Sequence, residues 1–189
     1  MHLSRLKPFD PTKTCLLLID TQNCVWNADV AARFPYFDET IRETVLSNLK
    51  KLITAFRKAG GEVMYTVMEN LTKDGRDRSL DYKLSDFFIA KSSWEAKVLD
   101  DLAPGDDDIV LSKTSSGVFN STNIEYILRN IGIDTVVMTG FLTDQCVDHA
   151  VRDVADSGFY PVCISNGCAT HSKERHDNAL NAFKGYAGR

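Results

Sequence analysis

Asp20, Lys113 and Cys146 are the residues of this chain best placed by type and position to do chemistry together. Cys146 stands in Gly140-Phe141-Leu142-Thr143-Asp144-Gln145-Cys146-Val147, between the apolar run Thr135–Thr139 and a helical pattern that ends at Ser157. With Thr143 as N-cap, the cysteine falls in the first turn of a helix at the C-terminal end of a strand. Unpaired backbone N–H groups and the helix dipole stabilise a thiolate there, and the same N–H groups can bind an oxyanion. Asp20 ends the apolar run Cys15–Ile19, and Lys113 follows Ile109-Val110-Leu111. Asp20 could accept the thiol proton and deliver it to a leaving amine, while Lys113 holds Asp20 and steadies the thiolate. Taken singly, each has a plainer explanation: a buried packing cysteine, a helix-capping aspartate, a solvated lysine. All three at strand ends is the improbable observation.

The elements that must position them alternate along the chain. Strands are expected at 15–19, 62–67, 109–111, 134–139 and 160–165. Helices are expected at 41–58, stopped by Gly60-Gly61, at 123–130 with Ser121 or Thr122 as cap, at 144–157 closed by Gly158, and at 173–184. The strand runs are almost wholly apolar, the mark of a parallel sheet covered on both faces. In such a sheet ligands bind at the carboxyl ends of the strands, where the strand order reverses. If the first and fourth strands flank that reversal, Asp20 and Cys146 face each other. The polar stretch 70–93 interrupts the alternation and reads either as a solvated excursion or as a loop, with a short helix, over the mouth of a site.

The 189 residues suffice for one domain, 1–189, with a full core. A net charge of -4 without a basic block argues against nucleic-acid or membrane-surface partners. The start, Met1 to Pro8, lacks the apolar segment of a signal peptide, and no apolar run approaches membrane-spanning length. Five cysteines without CxxC spacing favour reduced thiols, so a cytoplasmic location is expected. No Gly-x-Gly-x-x-Gly follows the first strand, where Asp20-Thr21-Gln22-Asn23 stands instead, so a dinucleotide-binding role is set aside.

Four blocks, in order, carry a family resemblance. They are Leu17-Leu18-Ile19-Asp20-Thr21-Gln22-Asn23; Asp108 to Lys113 with Ser116-Gly117-Val118-Phe119-Asn120-Ser121-Thr122; Leu128-Arg129-Asn130-Ile131-Gly132-Ile133; and Gly140–Val147 with Ala150-Val151-Arg152-Asp153. On these the chain resembles the isochorismatase-like cysteine hydrolases over residues about 13 to 185. The resemblance implies a three-layer α/β/α sandwich with a parallel sheet ordered 3-2-1-4-5-6. It implies a catalytic triad of Asp20, Lys113 and Cys146, a cis peptide between Phe141 and Leu142, and an oxyanion hole from the Leu142 and Cys146 amides. It also implies a homodimer or homotetramer. The function to expect is cleavage of a C–N bond in a small amide or ureide through a thioester acyl-enzyme.

The chain departs from the family pattern in two places. Nicotinamidases carry an Asp-x-His…His metal site after the first strand, but Val67–Leu71 holds no histidine. The four histidines, His2, His149, His171 and His176, form no ligand-spaced set with a carboxylate of the first half. No metal or other cofactor is therefore expected. The chain also ends at Tyr186-Ala187-Gly188-Arg189 where the family continues into an edge strand, which is either absent or cut from this sequence. Asn23, Trp26, Phe119 and Phe141 are the candidate substrate-binding residues. Gln22 reads as a support, and His149 as a surface or interface residue. The alternative function is vinyl-ether hydrolysis of isochorismate with release of pyruvate, which needs an acid rather than a nucleophile, so Cys146 speaks for acyl chemistry. A catalytically silent binding protein on the same fold ranks below both.

Overall fold

Alternate residues of the first strand feed two separate cores, and this organises the molecule. In the computed structural model, which describes residues 4, 5 and 8–187, strand β1 spans Thr14–Ile19 and is buried throughout. Cys15, Leu17 and Ile19 point into one apolar cluster; Leu16 and Leu18 point into the other. Side chains alternate across a strand, so a run buried on both faces must be apolar at every position.

The sheet has five parallel strands in the order β3-β2-β1-β4-β5, with β2 at Glu62–Met68, β3 at Ile109–Lys113, β4 at Thr135–Phe141 and β5 at Tyr160–Ala169. This is the expected three-layer α/β/α order without the sixth strand among the described residues. Helices α1 (Ala28–Arg33), α2 (Pro35–Thr40) and α3 (Leu46–Ala59) lie on one side; Phe37, Ile41, Val45, Leu49 and Ile53 meet Leu16 and Leu18 there. On the other side are α5 (Val118–Ser121), α6 (Ile124–Asn130), α7 (Asp148–Asp156) and α8 (Lys173–Phe183), which pack Val118, Leu128, Val151, Ala179 and Phe183 against the sheet. The short helix α4 (Leu80–Leu84) lies in the polar excursion after β2.

Several elements differ from the sequence expectation. The helix expected at 41–58 is part of a longer path: α2 passes through a wide π-helical turn, Ile41–Val45, into α3. Asn27 caps α1, its side chain accepting from the Asp29 and Val30 amides, a helix the apolar pattern did not reveal. Neither Ser121 nor Thr122 is the N-cap of α6; Asn123 is, although the Thr122 hydroxyl accepts from Ile124 N at 3.2 Å. β3 is not covered on both faces, since it is the sheet edge and Val110 is 43% exposed. β5 runs past residue 165 because it loops out: between Met138↔Cys163 and Gly140↔Cys168 it spends five residues against two on β4.

All five cysteines are free. Among the described residues no helix is long and apolar enough to cross a membrane, and no cluster of His, Cys, Asp and Glu is grouped for metal binding. His2, Gly188 and Arg189 lie outside the described residues.

Candidate active site

β1 and β4 are neighbours, and the strand order reverses between them, so the residues after both strands open on one crevice. The approach of the two strands is close. Gly140, at φ +109°, pairs with Ile19, and a Cβ there would meet Ile19 O at 2.1 Å. Only glycine fits that position.

Asp20 leaves β1 with φ 52°. Its amide donates to Thr66 O at 3.0 Å, and its Oδ1 accepts from Thr66 Oγ1 at 2.9 Å, so the neighbouring strand fixes the carboxylate. Lys113 ends β3 and reaches across, its Nζ 2.9 Å from Asp20 Oδ2, with both side chains fully buried. The same ammonium donates to Ser115 O at 2.9 Å and to Cys146 Sγ at 3.5 Å. The ammonium thus faces an ion-pair partner and two hydrogen-bond acceptors at once. Ser116 Oγ lies 3.4 Å from Cys146 Sγ. The structure thus brings Asp20, Lys113 and Cys146 together.

Electrostatics set the resting state. Burial, then the charge of Asp20, push the Cys146 thiol up to about 12, against the opposing pull of Lys113. Burial would lower the Lys113 ammonium, but Asp20 and then Cys146 outweigh it and hold it above its ordinary value. The free site therefore holds a Lys113–Asp20 ion pair beside a neutral thiol. That corrects the expectation of a thiolate held by the helix start. The cap also differs. Leu142 is the N-cap, Cys146 sits in a π-helical turn, Thr143–Val147, and the Thr143 hydroxyl is 2.9 Å from His176 Nδ1. The Phe141–Leu142 peptide is cis.

A cavity of about 910 Å³ opens over this cluster, with Asp20, Ser116, Phe141, Leu142 and Cys146 on its lining. Of the four candidate substrate-binding residues, Phe141 lines it; Asn23, Trp26 and Phe119 do not. The Asn23 carboxamide donates instead to Trp94 O at 2.9 Å. The Trp26 indole donates to Asp38 at 2.8 Å and lies under Arg42. Phe119 is tilted against Phe159. Gln22 is a support: its Nε2 donates to Met68 O and Glu95 O at 3.0 and 3.2 Å, and its Oε1 accepts from Met68 N at 2.6 Å. His149, expected on the surface, is exposed but on the cavity lining.

The polar excursion covers the site. Its backbone is tied to the β3 exit by Ser79 N to Thr114 O, and the residues just after it to the β1 exit by Cys24 N to Glu95 O and Leu99 N to Thr21 O. Tyr82 and Phe87 of this segment line the cavity, as do Arg33, Phe34 and His171 from elsewhere. Sequence reasoning missed all five. Ser116, three residues past Lys113 in a quoted block, was within its reach.

The sequence pattern of the isochorismatase domain matches residues 14–189. Among solved structures, the fold is similar to a cysteine hydrolase from Pseudomonas syringae pv. phaseolicola 1448A, at 21% identity and a TM-score of 0.82 over 94% of this chain and 87% of that one. It is similar to N-carbamoylsarcosine amidase from Thermoplasma acidophilum, at 25% identity and a TM-score of 0.75 over 92% and 93%. It is also similar to a nicotinamidase from Bacillus subtilis, at 23% identity and a TM-score of 0.73 over 93% and 97%.

Proposed function

Because the chain belongs to the isochorismatase family, a family of hydrolases, we propose that it is a cysteine-dependent amidohydrolase that cleaves a C–N bond of a small amide or ureide. The observation that carries this reading is the buried chain of contacts from Asp20 through Lys113 to Cys146 Sγ, at 2.9 and 3.5 Å. The amidases among its structural neighbours support acyl chemistry as well.

In this mechanism Asp20 takes the thiol proton as Sγ attacks the carbonyl carbon. The oxyanion that forms is held by the Leu142 and Cys146 amides. Collapse of the tetrahedral species breaks the C–N bond, and Asp20 returns its proton to the departing nitrogen. Water then attacks the thioester, with Asp20 as base, releasing the acid and the thiol. Lys113, paired with Asp20, holds that carboxyl in place through both proton transfers and stabilises the transient thiolate. A neutral resting thiol suits this scheme, since the nucleophile ionises only when a substrate is present to use it.

The test is ammonia release from a panel of small amides and ureides, with isochorismate cleavage run in parallel. Ammonia release that disappears in Cys146→Ala is the expected result. Isochorismate loss that survives Cys146→Ala, with no ammonia from any amide, would move the protein to vinyl-ether chemistry and make the cysteine a bystander.

A further inference from the structure

Cys146 Sγ has a second polar neighbour besides Lys113. Ser116 Oγ lies 3.4 Å from it, on the cavity lining, and this hydroxyl has no other partner among the described residues. The chain holds it there from both sides. Ser115 O accepts from the Lys113 ammonium at 2.9 Å. Gly117 O accepts from two hydroxyls, Ser115 Oγ at 3.0 Å and Ser121 Oγ at 2.9 Å. The residues flanking Ser116 are thus pinned, and its own side chain is left to the sulfur.

A hydroxyl donates one proton and accepts through two lone pairs. With the thiol proton directed at Asp20, as the proposed proton transfer requires, the Ser116 hydroxyl is the donor of its pair. Its hydrogen bond pulls the thiol down, as does Lys113, against burial and the Asp20 charge. The two donors differ in their other duties. The Lys113 ammonium also serves Asp20 and Ser115 O, whereas the Ser116 hydroxyl serves the sulfur alone. A hydrogen bond to a thiolate is stronger than one to a neutral thiol, and a thioester sulfur is a weak acceptor. The contact therefore tightens where the sulfur is charged and loosens in the acyl-enzyme, and only such a difference lowers a barrier.

We propose that Ser116 is a further catalytic residue, donating to Cys146 Sγ as the thiolate forms, releasing it on acylation, and donating again as the sulfur departs from the thioester. This rests on the amidohydrolase reading and adds to its site a residue outside the set of Asp20, Lys113 and Cys146.

The titratable groups that face the sulfur are Asp20 from β1, Lys113 from β3 and Tyr82 from α4, with Cys24 beside Asp20. Burial holds the Tyr82 phenol and the Cys24 thiol above their ordinary values. The remaining charged or titratable groups of the lining are Arg33, Asp81, Asp144, His149 and His171.

The experiment follows Cys146 in Ser116→Ala, Ser116→Thr and Ser121→Ala, the last removing a hydroxyl from the same loop carbonyl without touching the sulfur. Alkylation by iodoacetamide across a pH series, read by mass at the Cys146 peptide, reports thiolate formation. Ser116→Ala should displace that profile upward by about one pH unit, in the parent protein and in Asp20→Asn alike. Ser116→Thr, which keeps the hydroxyl, should return it, and Ser121→Ala should leave it in place. Release of p-nitrophenolate from p-nitrophenyl acetate reports acyl transfer, and Ser116→Ala should slow it about tenfold with the thermal transition unchanged. A profile that stays put in Ser116→Ala, or moves equally in Ser121→Ala, overturns the role of Ser116 and leaves the acyl-transfer reading standing. Release of p-nitrophenolate that survives Cys146→Ala undiminished would remove that reading, and the proposal with it.

Discussion

The floor and the walls of the cavity are built on different principles. The floor is Asp20 and Cys146, with Lys113 in contact with both off the lining, all at the ends of sheet strands or one turn beyond, and all buried. The walls are Arg33, Phe34, Tyr82, Phe87 and His171, which come from a helix end, a connecting residue, a loop-borne helix and its flank, and the exit of β5. Most are half-exposed or exposed. Backbone hydrogen bonds of the sheet hold the floor in place, whereas the walls are held by side-chain stacking and a few loop hydrogen bonds. In the proposed mechanism the reaction belongs to the rigid part and the choice of substrate to the adaptable part.

The contrast predicts that floor substitutions abolish the reaction and wall substitutions retune it. Cys146→Ala should lower turnover by several orders of magnitude, about 10⁴-fold or more, while the thermal transition stays close to that of the parent protein. A fall of only a few-fold in single-turnover assays would erase the distinction.

Lys113→Met should be the most damaging change to stability. It leaves a fully buried Asp20 carboxylate without its cation, at a cost of about 3–5 kcal/mol in chemical denaturation. Adding Asp20→Asn should recover much of that loss, because no unpaired charge remains. Lack of recovery would mean that the lysine matters for packing rather than for charge.

Asp20→Asn alone should separate base from thiolate support. Asp20 raises the Cys146 thiol, so its neutralisation should shift the pH profile of Cys146 alkylation to lower pH even as turnover is lost. A profile shifted the other way would mean that Asp20 does not act on the sulfur as described. Linkage gives the stability counterpart. The thiol stands at about 12 in the folded state against 9.0 ordinarily. Folded and unfolded chains both hold the proton below 9.0, and the unfolded chain alone releases it between the two values. Stability should therefore fall as pH rises through that window, less steeply in Cys146→Ala.

The smallest effect belongs to a residue that stands near the cavity but not on it. Trp26→Phe should cost about 1 kcal/mol for the lost bond to Asp38 and leave kcat/KM unchanged. A selective change in KM would return Trp26 to the walls.

The same contrast explains what the sequence made legible. An apolar run ending in a reactive residue is a local pattern, and parallel pairing turns three such runs into one site, so Asp20, Lys113 and Cys146 could be read directly. The strand order came from the family resemblance, not from the runs themselves, which say only that the sheet is parallel and covered. The walls follow no local pattern. Arg33 lies on a helix whose start, Asn27, looks like any polar residue, and nothing in the spacing of Phe34 and His171 announces that they stack. Trp26 was misplaced because following Asp20 in sequence says nothing about which way an indole turns. Electrostatics were misjudged for a related reason: the helix-start position of Cys146 was visible, but the degree of its burial, and the nearness of Asp20, were not.

Gly140 carries a consequence of its own. The β1–β4 ladder acts as a ruler between Asp20 and Cys146, and the missing side chain at this position sets its zero. The obstacle to a methyl group there is backbone rather than a movable side chain. No rotamer could relieve it. A residue off the cavity lining therefore fixes the gap between the strand ends that carry Asp20 and Cys146, and in the proposed mechanism that is the gap a proton crosses.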